Sequence, residues 1–117
     1  MKVIQKGFEL SKKDYYKTHL KIVNAILPVN MTEKEIEILS EFLSLPEETI
    51  KGNMFNSFAR KKVIEVLNLT KSGISNYING MVKKGYIKKE GDNLSITPAL
   101  LPDGICQGYN FKLKMKE

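Results

Sequence analysis

Arg60-Lys-Lys-Val-Ile-Glu-Val-Leu-Asn-Leu-Thr70-Lys-Ser-Gly-Ile-Ser-Asn-Tyr-Ile-Asn-Gly80-Met-Val-Lys-Lys-Gly-Tyr-Ile-Lys-Lys-Glu90 is the stretch whose reading decides the fold. Val63, Ile64, Val66 and Leu67 supply one apolar helical face, and Asn68 sits where the chain must leave that helix. Asn tolerates the left-handed conformation better than other residues with a side chain. Leu69 is spaced to drop between two helices, and Thr70 is a good N-cap for the second, its hydroxyl accepting from orphan amides of the first turn. In that second helix Ile74, Ile78 and Met81 recur at i, i+4 and i+7 with Tyr77 and Val82 flanking, so this stripe faces the core.

The opposite side carries Lys71, Ser72, Ser75, Asn76, Asn79 and Lys83. Small groups that both donate and accept suit the edges of base pairs in a major groove, although any solvated helix face has a similar composition. Gly85 is the expected stop, since glycine takes the left-handed C′ position and Lys83 and Lys84 complement the carbonyl end. Beyond it Ile87, Leu94 and Ile96 alternate with Lys88, Ser95 and Thr97 about a Gly91-Asp92 turn, which predicts a hairpin with lysines on its outer face.

The run LNLTKSGISNYINGMVKKGYIKK resembles the recognition core of MarR-like winged-helix regulators: a turn, a Ser or Thr cap, spaced apolar positions and a closing Gly-Tyr-Ile. The resemblance spans Thr32 to Thr97, with the segment Thr32 to Leu45 as the family's first helix. It implies a winged helix-turn-helix that binds double-stranded DNA, most simply a small transcriptional regulator. Lys71, Ser72, Ser75, Asn76 and Asn79 would then read bases, and Arg60, Lys61, Lys62, Lys83, Lys88 and Lys89 would hold phosphates. Such regulators place two recognition helices about one DNA turn apart, roughly 34 Å, so a homodimer is expected, joined through the helix from Ser11 to Leu27 and the terminal strands. The family itself dimerises through helices at both ends, whereas this C-terminus reads as a strand. No Arg lies on the recognition helix, and Gly80 inside it costs on the order of 1 kcal/mol relative to Ala unless another backbone approaches there. A replication-initiation or partition factor would use the same module. A winged helix serving as a protein-interaction or assembly scaffold, for instance in a viral or polymerase complex, is the reading from another class, and fold alone does not separate them.

Charge agrees with the nucleic-acid reading. Residues 1 to 57 hold eight Lys against eight Asp or Glu, while residues 58 to 117 hold eleven Lys or Arg against five acids, so the whole excess of +6 lies in the second half. From Arg60 to Lys89 eight basic residues face one acid, Glu65, and a polyanion is drawn to that half. Lysines also serve solubility, but solubility does not require this segregation.

The remaining sequence sets the frame. At 117 residues the chain suits one domain, 1–117, with an extension over 1–31, a core over 32–97 and a C-terminal turn and strand over 98–117. Its 42% hydrophobic and 27% charged residues are those of a soluble globular protein. Without an apolar run of spanning length or a signal-peptide core, the expectation is a cytoplasmic protein with no membrane partner. One cysteine, Cys106, and one histidine, His19, leave no metal site or internal disulfide to expect, and both read as core or partly buried residues. No phosphate-binding glycine loop or activated nucleophile is present, so neither enzymatic activity nor a cofactor is expected. Lys in excess over Arg, with abundant Asn and Ile, fits an AT-rich genome such as a bacterial or phage one.

The predicted class is α+β, mainly helical. Ile4, Phe8 and Leu10 suit one face of an N-terminal strand. Ser11 with Asp14 starts a helix that carries Tyr16, Leu20, Val23 and Leu27, broadened by Tyr15, Ile22 and Ile26, and ends at Pro28. Thr32 and Glu35 form a capping box for a helix with Ile36, Leu39 and Leu43 inward and an acidic outer face of Glu33, Glu35, Glu37 and Glu41. That face turns away from DNA or docks a basic protein. A loop over Lys51 to Phe58 drops Met54, Phe55 and Phe58 onto the core, and Asn56 or Ser57 caps the next helix. Tyr109, Phe111, Leu113 and Met115 alternate with Asn110, Lys112, Lys114 and Lys116 as a final strand pairing with the N-terminal segment.

Overall fold

A computed structural model describes residues 2–117. Five helices and one antiparallel hairpin make an α+β, mainly helical fold: α1 Lys12–Asn24, α2 Glu33–Ser44, α3 Glu47–Ile50, α4 Ser57–Leu67, α5 Lys71–Lys84, β1 Ile87–Glu90 and β2 Asn93–Ile96, with a 3₁₀ turn at Pro98–Leu100 after the hairpin. Among the described residues no helix is long and apolar enough to cross a membrane.

The core is built around α2. Ile36, Ile38, Leu39, Phe42 and Leu43 are buried, and α1 and α4 pack against it. Leu20 comes in from α1, Ala59 and Val63 from α4, Ile74, Ile78 and Met81 from α5, and Ile87 and Ile96 from the base of the hairpin. Phe55 meets Phe42 with ring centroids 4.7 Å apart. Each fully buried large side chain of this kind contributes about 1.5–3 kcal/mol of transfer free energy.

Local caps place the helix ends. Thr32 and Glu35 form the expected capping box, with Glu35 N to Thr32 Oγ1 at 3.1 Å and Thr32 N to Glu35 Oε1 at 2.8 Å. Ser11 Oγ accepts from Asp14 N at 3.2 Å. Asn56, not Ser57, caps α4, its Oδ1 accepting from Ala59 N while its amide nitrogen donates to the carbonyls of Thr49 and Asn53. Those two bonds fold the preceding segment back and hold the short α3, an element without a sequence signal of its own.

Several expectations need correction. Helix α1 stops at Asn24 rather than Leu27, because the Asn24 amide grips Met31 on both edges, accepting from its N–H at 2.6 Å and donating to its carbonyl at 3.1 Å; Ile26 is left exposed. On the acidic outer face of α2, Glu35 and Glu41 are buried, the first bonded to Lys84 and the second paired with Lys13, while Glu33 is exposed and Glu37 half-buried. Phe58 and Val66 lie on the exposed side of α4, not on the core. Cys106 is exposed. The termini form no strands: 2–10 and 101–117 contain no strand, and the two segments do not pair.

Candidate nucleic-acid interface

In the unit formed by α4, the turn after it, α5 and the hairpin, two left-handed residues set the ends of the helices. Asn68 takes φ 53° and closes α4, with Leu69 N reaching back to Ile64 O at 3.1 Å; Leu69 then packs on the core. Thr70 caps α5 at once, its Oγ1 accepting from Gly73 N at 2.9 Å. At the far end Gly85, with φ 86°, ends α5 in a Schellman arrangement: Gly85 N bonds Val82 O and Tyr86 N bonds Met81 O.

The hairpin is stapled to that helix end. Thr97 N donates to Tyr86 O at 2.9 Å, and Thr97 Oγ1 donates to Gly85 O at 2.6 Å. In register, Ile87 opposes Ile96, Lys88 opposes Ser95, Lys89 opposes Leu94 and Glu90 opposes Asn93. Gly91, at φ 62°, occupies the first central position of the two-residue turn, where positive φ suits the twist of the strands. The expectation of lysines together on an outer face is corrected by this register. Side chains alternate along a strand, so Lys88 points to the face away from Ile87, whereas Lys89 shares the face of Ile87 and Leu94 and extends it toward the tip. Both are exposed.

On α5 the structure exposes Lys71, Ser72, Asn76, Asn79 and Lys83, while Ser75 is half-buried. Ser75 is not free: Arg60 Nη1 donates to its Oγ at 3.4 Å, and Arg60 Nε donates to Phe55 O at 2.7 Å. Arg60 therefore braces α4 against α5 and the preceding loop, and is not a side chain held out for a phosphate alone. Lys61 and Lys62 are exposed on α4, with Lys62 over the Phe58 ring at 5.4 Å. Gly80 gives no close approach to another backbone, since a Cβ there would meet nothing within 4 Å.

Lys84 is withdrawn from the surface charge. Its Nζ donates to Glu35 Oε1 at 2.7 Å, tying the end of α5 to the start of α2. Burial is the largest influence on the Glu35 carboxyl and pushes it up, but hydrogen bonds from Lys84 and Thr32, with the lysine charge, hold it below the ordinary carboxylate value. The outward cations are thus Lys61, Lys62, Lys71, Lys83, Lys88 and Lys89, tempered at the hairpin tip by the exposed Glu90 and Asp92.

Two features escaped sequence reasoning. The Arg60–Ser75 brace links positions fifteen apart with no local signal. The second is a groove along α1 between the terminal segments, where His19 Nδ1 meets Tyr109 Oη at 2.5 Å, the two rings stack, and Tyr15 Oη donates to Gly104 O at 2.9 Å. Burial holds the His19 imidazole below its ordinary value, opposed by the nearby Leu100 carbonyl. Among the described residues no group of three or more His, Cys, Asp or Glu side chains converges as a metal site would require. Comparison with protein-family models, with curated proteins and with solved structures finds no match.

Proposed function

We propose that the α4–α5–hairpin unit is a winged helix-turn-helix of the MarR-like kind and that the protein binds double-stranded DNA as a small transcriptional regulator. The observation that carries the reading is the exposed face of α5. Asn76 and Asn79, flanked by Lys71 and Lys83, stand clear of the core on a helix whose two ends are capped, next to a hairpin bearing two exposed lysines. An Asn amide pairs with the adenine edge in a major groove, and lysines supply phosphate contacts that release counterions. The Arg60 brace and the Thr97 staple support the same reading, because they hold α4, α5 and the hairpin in one arrangement before DNA arrives.

The test is binding of the purified protein to genomic duplex fragments as salt is raised. Five or six outward lysines give a log–log slope of roughly −5. Absence of binding at low salt overturns the reading and leaves the protein-scaffold alternative in its place.

A further inference from the structure

Three aromatic rings stand in a row where the C-terminal arm, residues 101–117, leaves α1. His19 stacks with Tyr109, centroids 5.8 Å apart, and Tyr109 with Phe111, centroids 6.3 Å apart and planes 9° from parallel. The row is anchored at its base. His19 is buried and its Nδ1 meets Tyr109 Oη at 2.5 Å, while the Tyr15 Oη bond to Gly104 O ties down the chain leading into it. Outward it opens, with Tyr109 40% and Phe111 61% exposed. Residues i and i+2 of a strand-like chain share a face about 6.6 Å apart, and the Tyr109–Phe111 spacing matches that repeat.

We infer that this row is a stacking platform for unpaired bases of a single-stranded nucleic acid, with the lysines that follow it holding the phosphates. The charge is complementary: Tyr109 to Lys116 holds three lysines and no acid, and Lys112, Lys114 and Lys116 are all exposed. Every base has a π-face, and aromatic side chains beside a basic track hold single strands with little sequence preference. The N-terminal arm brings a second ring and cation to the same groove, where Lys6 Nζ lies 5.2 Å from the centroid of Phe8. In a duplex the base faces are already covered by their neighbours, so this partner differs from the one proposed for the α5 face. The inference does not depend on that reading.

Exposed Leu113 and Met115 among lysines also suit an anionic lipid surface, and the backbone decides against it. Among the described residues, 109–117 makes no backbone-to-backbone hydrogen bonds. Hydrocarbon supplies no partners for such peptide groups. Along a nucleic acid the same N–H groups meet phosphate and sugar oxygens.

The experiment is fluorescence anisotropy of the full chain with labelled probes of equal length: single-stranded DNA, single-stranded RNA of the same sequence, an abasic DNA strand and the DNA duplex. The base-bearing strands are expected to bind about 10-fold tighter than the abasic one, which has the phosphates without the faces. Binding of either supports the inference, and the tighter of the two identifies the source. Phe111→Ala is expected to lose about that factor on single strands and nothing on the abasic strand or the duplex. Its melting profile should be that of the wild type, since the side chain is exposed, and Phe111→Tyr should restore the affinity. Lys112→Gln with Lys114→Gln should weaken the abasic strand as well and flatten the single-strand salt slope by about 1.4 units, 0.7 for each phosphate contact. Equal affinity for abasic and base-bearing strands overturns the inference, as does Phe111→Ala acting equally on duplex and single strand or on neither. A wild type that ignores single strands and cosediments with phosphatidylserine vesicles also overturns it. Asn76→Ala should leave single-strand binding unchanged, and a wild type that binds single strands but no duplex sinks the duplex reading while supporting this one.

Discussion

At the scale of single residues, Gly73 and Gly80 sit seven positions apart on α5 and carry opposite expectations. A Cβ at Gly80 meets open space, so Gly80→Ala recovers helix propensity and stabilises by about 1 kcal/mol, a rise of about 4 °C in melting temperature. A Cβ at Gly73 falls 2.8 Å from Thr70 Oγ1, the atom that caps the helix. Gly73→Ala gains propensity but disturbs a cap of about 1 kcal/mol, so no net gain is expected. Paired thermal melts check the contrast. Glu35 serves as both capping-box acceptor and partner of the half-buried Lys84, and Glu35→Ala should cost about 2 kcal/mol in a denaturant titration. The pairing of Glu35 and Glu41 was not legible in the sequence. Their lysine partners lie 49 and 28 positions away, and acids at helix spacing look like a solvated face until the fold brings those lysines in.

Among the elements, α5 and the hairpin divide the proposed work. Asn76→Ala should lose about 1–3 kcal/mol on a preferred site and little on random DNA, whereas Lys88→Ala with Lys89→Ala should weaken all sequences alike and flatten the salt slope by about two units. Competition binding at two salt concentrations separates the two effects. These elements were legible because their boundaries are local: Asn68, Thr70 and Gly85 act within one turn of themselves, and period-four apolar positions mark the buried face. Helix α3 and the end of α1 were not, since both depend on Asn side chains gripping backbone seven residues away. The terminal segments carry a strand-like alternation that says which side chains share a face, but alternation alone supplies no partner strand, and they form none.

For the whole molecule, stability should fall in two steps on acidification. The His19 imidazole lies below its ordinary 6.5 in the folded state, so as pH drops through 6.5 the unfolded chain takes up the proton first and stability declines toward the folded value. Glu35, held below 4.5, contributes stability above that pH and loses it as the pH falls further. Melting temperature against pH should be flat near neutrality, and His19→Gln should remove the first step alone. The central claim is that the face made by α5 and the hairpin meets duplex DNA while α1 and α2 form the frame behind it. The most direct measurement is an amide NMR titration of the protein with a duplex fragment. The account predicts that signals from Lys71 to Lys83 and from Ile87 to Ile96 shift together while those of α1 and α2 stay in place. Shifts confined to the terminal arms or to α1, with α5 unmoved, would contradict it.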